Sequence, residues 1–144
     1  MTKLTLIDRA FFLKRSPLFA SLDLDLLLAI ADKLQVVIFE PEDTIFRVAE
    51  EAFHMYFVVK GEVVAKDSNK HLLATLEAGE FFGDEAIFNE KPRVYSVLAK
   101  TPATLLALSK TNLLTIISEC PAVAIGFLQT YTSITPFRLR RREE

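Results

Sequence analysis

Residues 82–97 contain the residue types that bind a small anionic ligand carrying a hydroxyl group. Gly83 leads into a short apolar helical turn, Asp84 follows it, and Arg93 lies ten residues beyond Gly83 at the head of a β-like run. Backbone N–H groups at a helix start attract phosphate, and an arginine can hold two phosphate oxygens with parallel donors. A carboxylate accepts a hydroxyl proton. The segment therefore indicates a binding module more than an enzyme.

The composition fits one folded domain without a metal or a disulfide. The chain has 144 residues, 51% of them hydrophobic, and one cysteine, Cys120. A domain of this length buries roughly 68–70% of its unfolded surface. A single cysteine excludes an internal disulfide, and His54 and His71 lack the spacing of a metal cluster. We expect no catalytic residue, no metal and no cofactor.

Charge and hydropathy argue against nucleic-acid and membrane partners. The formal net charge is −2, and two glutamates follow the basic run 138–142, which we interpret as a solvated tail. Within the uncharged run 120–137, Pro121 and Pro136 bracket fourteen residues, which as a helix would reach only ~21 Å. A bilayer core needs about 30 Å. We expect a cytoplasmic protein.

The elements around residues 82–97 are predicted as helices, then strands, then helices. Ser21 is the predicted N-cap of a helix whose leucines repeat at helical spacing up to Leu34. Short β-rich runs follow, with turn residues between them and a tight hairpin at Lys60-Gly61. Pro121 suits the first position of a later helix that Pro136 ends. One face of that helix is predicted to carry Ala124, Phe127, Leu128 and Tyr131.

We therefore predict a single domain over residues 1–144 that is mainly β with flanking helices. A helical lead-in covers residues 4–34, and an eight-stranded double-sheet jelly roll (β-roll) covers residues 35–109. C-terminal helices occupy residues 111–135, and a basic tail occupies residues 136–144.

The order of these elements, together with residues 82–97, resembles the cyclic nucleotide-binding domain family. That family includes regulatory subunits of protein kinase A, cyclic-nucleotide-gated channels and bacterial catabolite activators. The likeness covers nearly the whole chain. It rests on Ser16-Pro17-Leu18-Phe19, the run 56–63 (YFVVKGEV), Gly79-Glu80-Phe81-Phe82-Gly83 and Pro92-Arg93.

The resemblance implies that residues 82–97 form a phosphate-binding cassette, called the cassette below. By position, Gly83 approaches the ligand through its backbone and Arg93 pairs with the phosphate charge. Asp84 stands where the family usually has a glutamate bonded to the ribose 2′-hydroxyl. N–H groups near Ala86 and Ile87 face the phosphate. The full candidate ligand-binding set is Phe82, Gly83, Asp84, Glu85, Ala86, Ile87, Arg93, Val94 and Tyr95.

The chain departs from the family pattern at several positions. Asp84 is one methylene shorter than glutamate, and Val94 and Tyr95 stand where the family prefers small residues or a threonine. Turn glycines common in the family are missing near Glu42 and near Ala49. A tyrosine at position 95 crowds the ligand or fills its space.

Two functions follow from the resemblance. The first is a stand-alone, non-enzymatic regulatory module that binds cyclic AMP or cyclic GMP and acts on a protein effector of unknown identity. The alternative is a ligand-free member of the fold that serves as a protein-interaction or dimerisation module, with Tyr95 in the pocket. In that case Arg93 is a structural residue paired with Asp84 or Glu85. The apolar face of the last helix fits its own domain or a second copy in a homodimer, and Tyr131 is a core residue or a lid over a purine.

Overall fold

The computed structural model describes residues 4–134, which fold into a β-roll with helices at both ends. The helices are α1 (Leu6–Lys14), α2 (Leu24–Ala31), α3 (Glu85–Asn89), α4 (Lys110–Glu119) and α5 (Pro121–Ile134). The strands are β1 (Gln35–Phe39), β2 (Thr44–Phe46), β3 (His54–Lys60), β4 (Val63–Lys66), β5 (Leu72–Leu76), β6 (Phe81–Phe82), β7 (Ser96–Ala99) and β8 (Ala103–Ser109). The predicted fold class is confirmed. Pro136 and the basic tail lie outside the described residues.

Two antiparallel four-stranded sheets make up the roll in the described part of the chain, with orders β1-β8-β3-β6 and β2-β7-β4-β5. Because β3 and β4 belong to different sheets, the predicted hairpin at Lys60-Gly61 is wrong. Gly61 has φ +87°, and a Cβ there would lie 2.2 Å from the Pro102 carbonyl oxygen. The turn prediction was right, but the chain crosses between sheets at this point, and local sequence does not determine strand partners.

Two apolar clusters hold the cassette between them. The helix-side cluster includes Phe19, Phe57, Leu106 and Phe127, together with Ile87 of α3. The roll cluster, between the sheets, includes Phe46, Val97, Leu105 and Phe82. Since Phe82 and Ile87 are 3% and 2% exposed, they fix the two sides of Gly83 and Asp84 in separate cores.

The flanking helices differ in detail from the sequence prediction. Asp23, not Ser21, caps α2, since its carboxylate accepts the Leu26 N–H at 3.0 Å. Helix α5 begins at Pro121, as predicted. Of the predicted apolar face, Phe127 is 3% exposed and packs on its own domain, whereas Leu128 is 57% exposed.

No single helix within residues 4–134 is long and apolar enough to cross a bilayer. Helices α4 and α5 reach the required length and composition only as a pair, which is bent by 108° at the break between them.

Two turns that lack the glycines of the family have left-handed backbones. Glu42 has φ +75° and Ala49 has φ +77°. The Ala49 N–H donates to the Arg93 carbonyl at 2.7 Å, and the Arg93 N–H donates to the Glu50 carbonyl at 2.8 Å. The strained turn at Ala49 therefore holds the backbone of Arg93.

Ala49→Gly is expected to raise the free energy of unfolding by about 1 kcal/mol, because glycine adopts positive φ without the Cβ clash. Urea denaturation measures the change. The matched control is Ala74→Gly in the exposed middle of β5, where the same exchange is expected to lower stability by roughly 0.5–1 kcal/mol. A loss of stability at both positions would contradict the proposed strain.

Candidate functional site

Arg93 lies at the centre of the candidate site and ahead of strand β7. The predicted strand began at Arg93, but the observed strand covers Ser96–Ala99. The turn at Ala49 and Glu50 replaces strand pairing at this point by bonding both backbone groups of Arg93. Arg93 is only 4% exposed, so its guanidinium lies inside the protein.

The Arg93 guanidinium is held by carbonyl groups and an aromatic ring. Nη1 donates to the Gly83 carbonyl at 2.6 Å, and Nη2 donates to the His54 carbonyl at 2.5 Å. Its central carbon lies 3.8 Å from the centroid of the Phe46 ring. The Nε–H is buried and has no hydrogen-bond partner among the described residues.

No carboxylate within residues 4–134 forms an ion pair with Arg93. The structure therefore does not show the ion pair of Arg93 with Asp84 or Glu85 that the alternative function predicts. Burial lowers the pKa of Arg93, because desolvation disfavours its charge more than the surrounding acidic and phenolic groups favour it.

Gly83 is required where Arg93 meets the cassette. Its φ is +85°, a conformation that residues with a side chain rarely adopt. A Cβ at this position would lie 3.0 Å from Arg93 Nη1 and 3.2 Å from the Phe46 ring. Any side chain here would push the guanidinium away from the Gly83 carbonyl.

Tyr95 is half-buried, packs against the roll cluster and is hydrogen-bonded to two cassette residues. Its hydroxyl donates to Glu85 Oε1 at 2.8 Å and accepts the Gly83 N–H at 3.2 Å. Its ring centroid lies 5.5 Å from that of Phe46. Burial and the nearby Glu85 carboxylate raise the pKa of Tyr95, so the hydroxyl keeps its proton.

Aromatic rings form the roll side of the site. Tyr56 and Phe82 stack with centroids 5.4 Å apart and planes 19° from parallel. Phe46 contacts both rings, at centroid distances of 6.2 Å and 5.9 Å. Because Phe46 and Phe82 are buried in the roll cluster, these rings pack as core beside the arginine.

Asp84 is a buried carboxylate on the helix side of the site. It is 3% exposed, and its Oδ2 accepts a hydrogen bond from the Tyr131 hydroxyl of α5. Burial, followed by the Glu85 charge, raises the pKa of Asp84 to about 6, while the Tyr131 hydrogen bond acts in the opposite direction. The Asp84 carbonyl accepts the N–H groups of Ile87 and Phe88, which begins α3.

Residues 36–120 of the chain match the family described as the cyclic nucleotide-binding domain. The chain belongs to this family. It is 33% identical over 100 residues to the cAMP-dependent protein kinase regulatory subunit of Yarrowia lipolytica. That alignment covers 69% of this chain and only 27% of the length of this curated relative.

Solved structures agree with the fold. The catabolite activator protein of Thermus thermophilus is 26% identical, with a TM-score of 0.76, over 84% of this chain and 59% of that chain. The regulatory subunit of a cAMP-independent protein kinase A from Trypanosoma brucei is 25% identical, also with a TM-score of 0.76, over 92% of this chain and 49% of that chain.

The structure links four of the nine predicted site residues by hydrogen bonds and places the others around them or apart from them. Gly83, Glu85, Arg93 and Tyr95 are linked by hydrogen bonds, as described above. Val94 stands apart from this network with 73% of its surface exposed. Ala86 and Ile87 are buried in the helix-side core, and the Ile87 N–H is used within the first turn of α3.

Sequence reasoning missed two partners of Arg93 and one of Asp84. The His54 carbonyl and the Phe46 ring come from distant strands, and a backbone carbonyl leaves no trace in residue type. Tyr131 was interpreted as core or lid, and its hydroxyl is 47 residues from its acceptor. The Tyr131 contact could have been inferred from the rule that a buried aspartate needs a hydrogen-bond donor.

Proposed function

We propose that this protein is a non-enzymatic regulatory module that binds a cyclic nucleotide, cyclic AMP or cyclic GMP, through the cassette and acts on a separate protein effector. Family membership supports the ligand class, since the Yarrowia relative is by name a cAMP-dependent kinase subunit. Among the described residues no group of three or more metal-ligating side chains suggests another chemistry.

This proposal depends most on one observation: the Arg93 guanidinium is buried without an ion pair and with an unbonded Nε–H among the described residues. A buried charge without an opposite charge is costly, and an unpartnered buried N–H adds to that cost. The anionic phosphate of a cyclic nucleotide meets both demands. Of the five N–H donors of the guanidinium, the Gly83 and His54 carbonyls use two. The orphan Nε–H and the remaining donors are left to pair with phosphate oxygens.

Ligand binding requires Tyr95 to give up its present hydrogen bonds. The Gly83 N–H that it now occupies belongs to the same turn that Arg93 holds. We expect two populations, one with the Tyr95 hydroxyl on Gly83 and Glu85, and one with the phosphate in its place. The ligand shifts the balance only by its preference for the second population.

Titration calorimetry and thermal melting with cyclic AMP, cyclic GMP and a cyclic dinucleotide test the proposal. Protein that has been unfolded, dialysed and refolded carries no nucleotide from expression. At a ligand concentration about 100 times Kd, binding adds about 2.7 kcal/mol and raises Tm by roughly 5–10 °C. Absence of heat and of a Tm rise at millimolar ligand would refute the ligand proposal.

A second candidate function is a ligand-free protein-interaction or dimerisation module. The contacts of Tyr95 with Gly83, Glu85 and Phe46 favour it, because they satisfy cassette groups from within the protein. The structural relative from Trypanosoma brucei is the regulatory subunit of a cAMP-independent protein kinase A, so the fold also occurs in a kinase that does not depend on cAMP.

Tyr95→Ala is expected to strengthen cyclic-nucleotide binding by about ten-fold, because it removes the ring and frees the Gly83 N–H. Tyr95→Phe keeps the ring but loses both hydrogen bonds, so it separates the steric effect from that of the hydroxyl. Calorimetry measures both variants against the wild-type protein. If neither variant nor the wild type binds, the second candidate function is favoured.

A further inference from the structure

Strand β5 ends one of the two sheets with an open edge. Within residues 4–134 it pairs only with β4, and it is the last strand in the order β2-β7-β4-β5. The backbone groups of an edge strand point alternately toward its partner and away from the sheet. The outward N–H and C=O groups of β5 can therefore pair with a strand of another chain.

Strand β5 carries neither a charge nor a proline, the residues that commonly protect an edge strand. Leu72 is 61% exposed and Leu73 is 55% exposed, while Leu76 packs against the roll cluster. The register with β4 shifts by one residue between Leu72 and Ala74, and the pairing is regular from Ala74 to Leu76. An open edge with exposed leucines is a surface that favours coverage by a further strand.

The other edge strands of the described roll are less suited to pairing. Strands β2 and β6 have three residues and two residues, so each offers few backbone hydrogen bonds. Strand β1 is as long as β5, but Glu40 and Pro41 follow it directly. A charge and a proline at an edge oppose the addition of a strand.

The charges at the two ends of β5 favour a second copy of the chain as its partner. Lys70 precedes the strand, Glu77 and Glu80 follow it, and all three residues are exposed. Asp67, in the preceding turn, already lies 3.4 Å from His71, measured from Oδ2 to Nδ1. When two copies of β5 lie antiparallel, Lys70 of each copy lies at the same end of the pair as the two glutamates of the other. Opposite charges therefore meet twice, whereas a parallel pair would bring like charges together.

We propose that β5 is a dimerisation edge, at which two copies of this chain pair antiparallel about a two-fold axis at Ala74. In this register Leu72 of each copy is opposite Leu76 of the other, and Leu73 is opposite Thr75. The two β2-β7-β4-β5 sheets then form one continuous sheet across the dimer. The proposal does not depend on ligand binding, because β5 lies outside the cassette.

The expected dimer is weak, because one strand pair is smaller than a standard interface of about 800 Å² per partner. We expect a Kd of about 10–100 μM, which sedimentation equilibrium of the full chain from about 1 μM to 1 mM would measure. Leu72→Lys puts a charge on the edge and is expected to weaken dimerisation at least about ten-fold. Leu128→Lys is the matched control, since Leu128 is 57% exposed on α5, and it should leave the Kd unchanged.

Two results of this experiment would overturn the proposal. The first is a wild-type protein that stays monomeric up to about 1 mM. The second is a dimer that Leu128→Lys weakens and Leu72→Lys does not, which would place the interface on α5.

Reversing the charges at the ends of β5 tests the antiparallel pairing itself. Lys70→Glu should weaken dimerisation roughly ten-fold, because acids then face acids at both ends of the pair. The double variant Lys70→Glu with Glu77→Lys restores the opposite charges and should recover most of the affinity. Hydrogen exchange over residues 72–76 should slow as the wild-type concentration rises through the Kd, and should not slow in Leu72→Lys. Equal dimerisation of wild type and Lys70→Glu, or exchange independent of concentration in a dimer, would show that β5 is not the interface.

Discussion

Arg93→Ala is expected to weaken binding of cyclic AMP or cyclic GMP by at least about 100-fold and to abolish the ligand-induced rise in Tm. The guanidinium is buried, already oriented by the Gly83 and His54 carbonyls, and forms no ion pair with an acid in residues 4–134. Removing this side chain takes from the phosphate both its opposite charge and its paired N–H donors. Titration calorimetry gives the affinity, and melting with and without ligand gives the Tm effect.

Two further variants serve as controls: one separates the planar donor geometry of Arg93 from its charge, and the other removes a different arginine. Arg93→Lys keeps the charge but not the planar donors, so we expect an intermediate loss of affinity. Arg47→Ala removes an arginine whose side chain is 69% exposed, and it should bind like wild type. Unchanged affinity in a folded Arg93→Ala protein would remove the basis of the ligand proposal. Circular dichroism verifies folding, because the variant leaves two carbonyls without a donor.

The architecture was predictable because local sequence patterns agree with it. Short β-rich runs between turn residues predicted the strands, and helical spacing of apolar residues predicted the helices at both ends of the chain. Strand pairing was not predictable in the same way. The Lys60-Gly61 turn was recognised, but whether it joins partners or crosses between sheets depends on β8, which pairs with β3 from a distant part of the chain.

The candidate site was predictable where its residues are neighbours in the chain. Gly83, Asp84 and Arg93 belong to one segment, and their residue types indicate a site for an anion with a hydroxyl group. The hydrogen-bond partners of Asp84 and Arg93 were not predictable. A carbonyl at His54 and a hydroxyl at Tyr131 decide what Arg93 and Asp84 contact, and both reach the cassette through tertiary packing. Backbone acceptors carry no residue signature, so local patterns cannot reveal them.

Asp84→Asn is expected to raise the free energy of unfolding at about pH 8 by about 2–3 kcal/mol, with little effect near pH 4. Burial raises the pKa of Asp84 from its ordinary value of 3.8 to about 6. Between these values the folded protein holds a proton that the unfolded chain releases, so stability falls as pH rises. Asparagine does not titrate, and its amide oxygen still accepts from Tyr131. Urea denaturation across this pH range measures the difference.

A second variant identifies the cause of this pH dependence. Glu85 is the charged neighbour that raises the pKa of Asp84 after burial, so Glu85→Gln should move the loss of stability toward lower pH. Asp25→Asn, at an exposed position in the first turn of α2, should change stability by a similar small amount at every pH. A stability difference between wild type and Asp84→Asn that does not vary with pH would show that folding leaves the pKa of Asp84 unchanged. The Tyr131 hydrogen bond would then offset the effect of burial on the carboxylate.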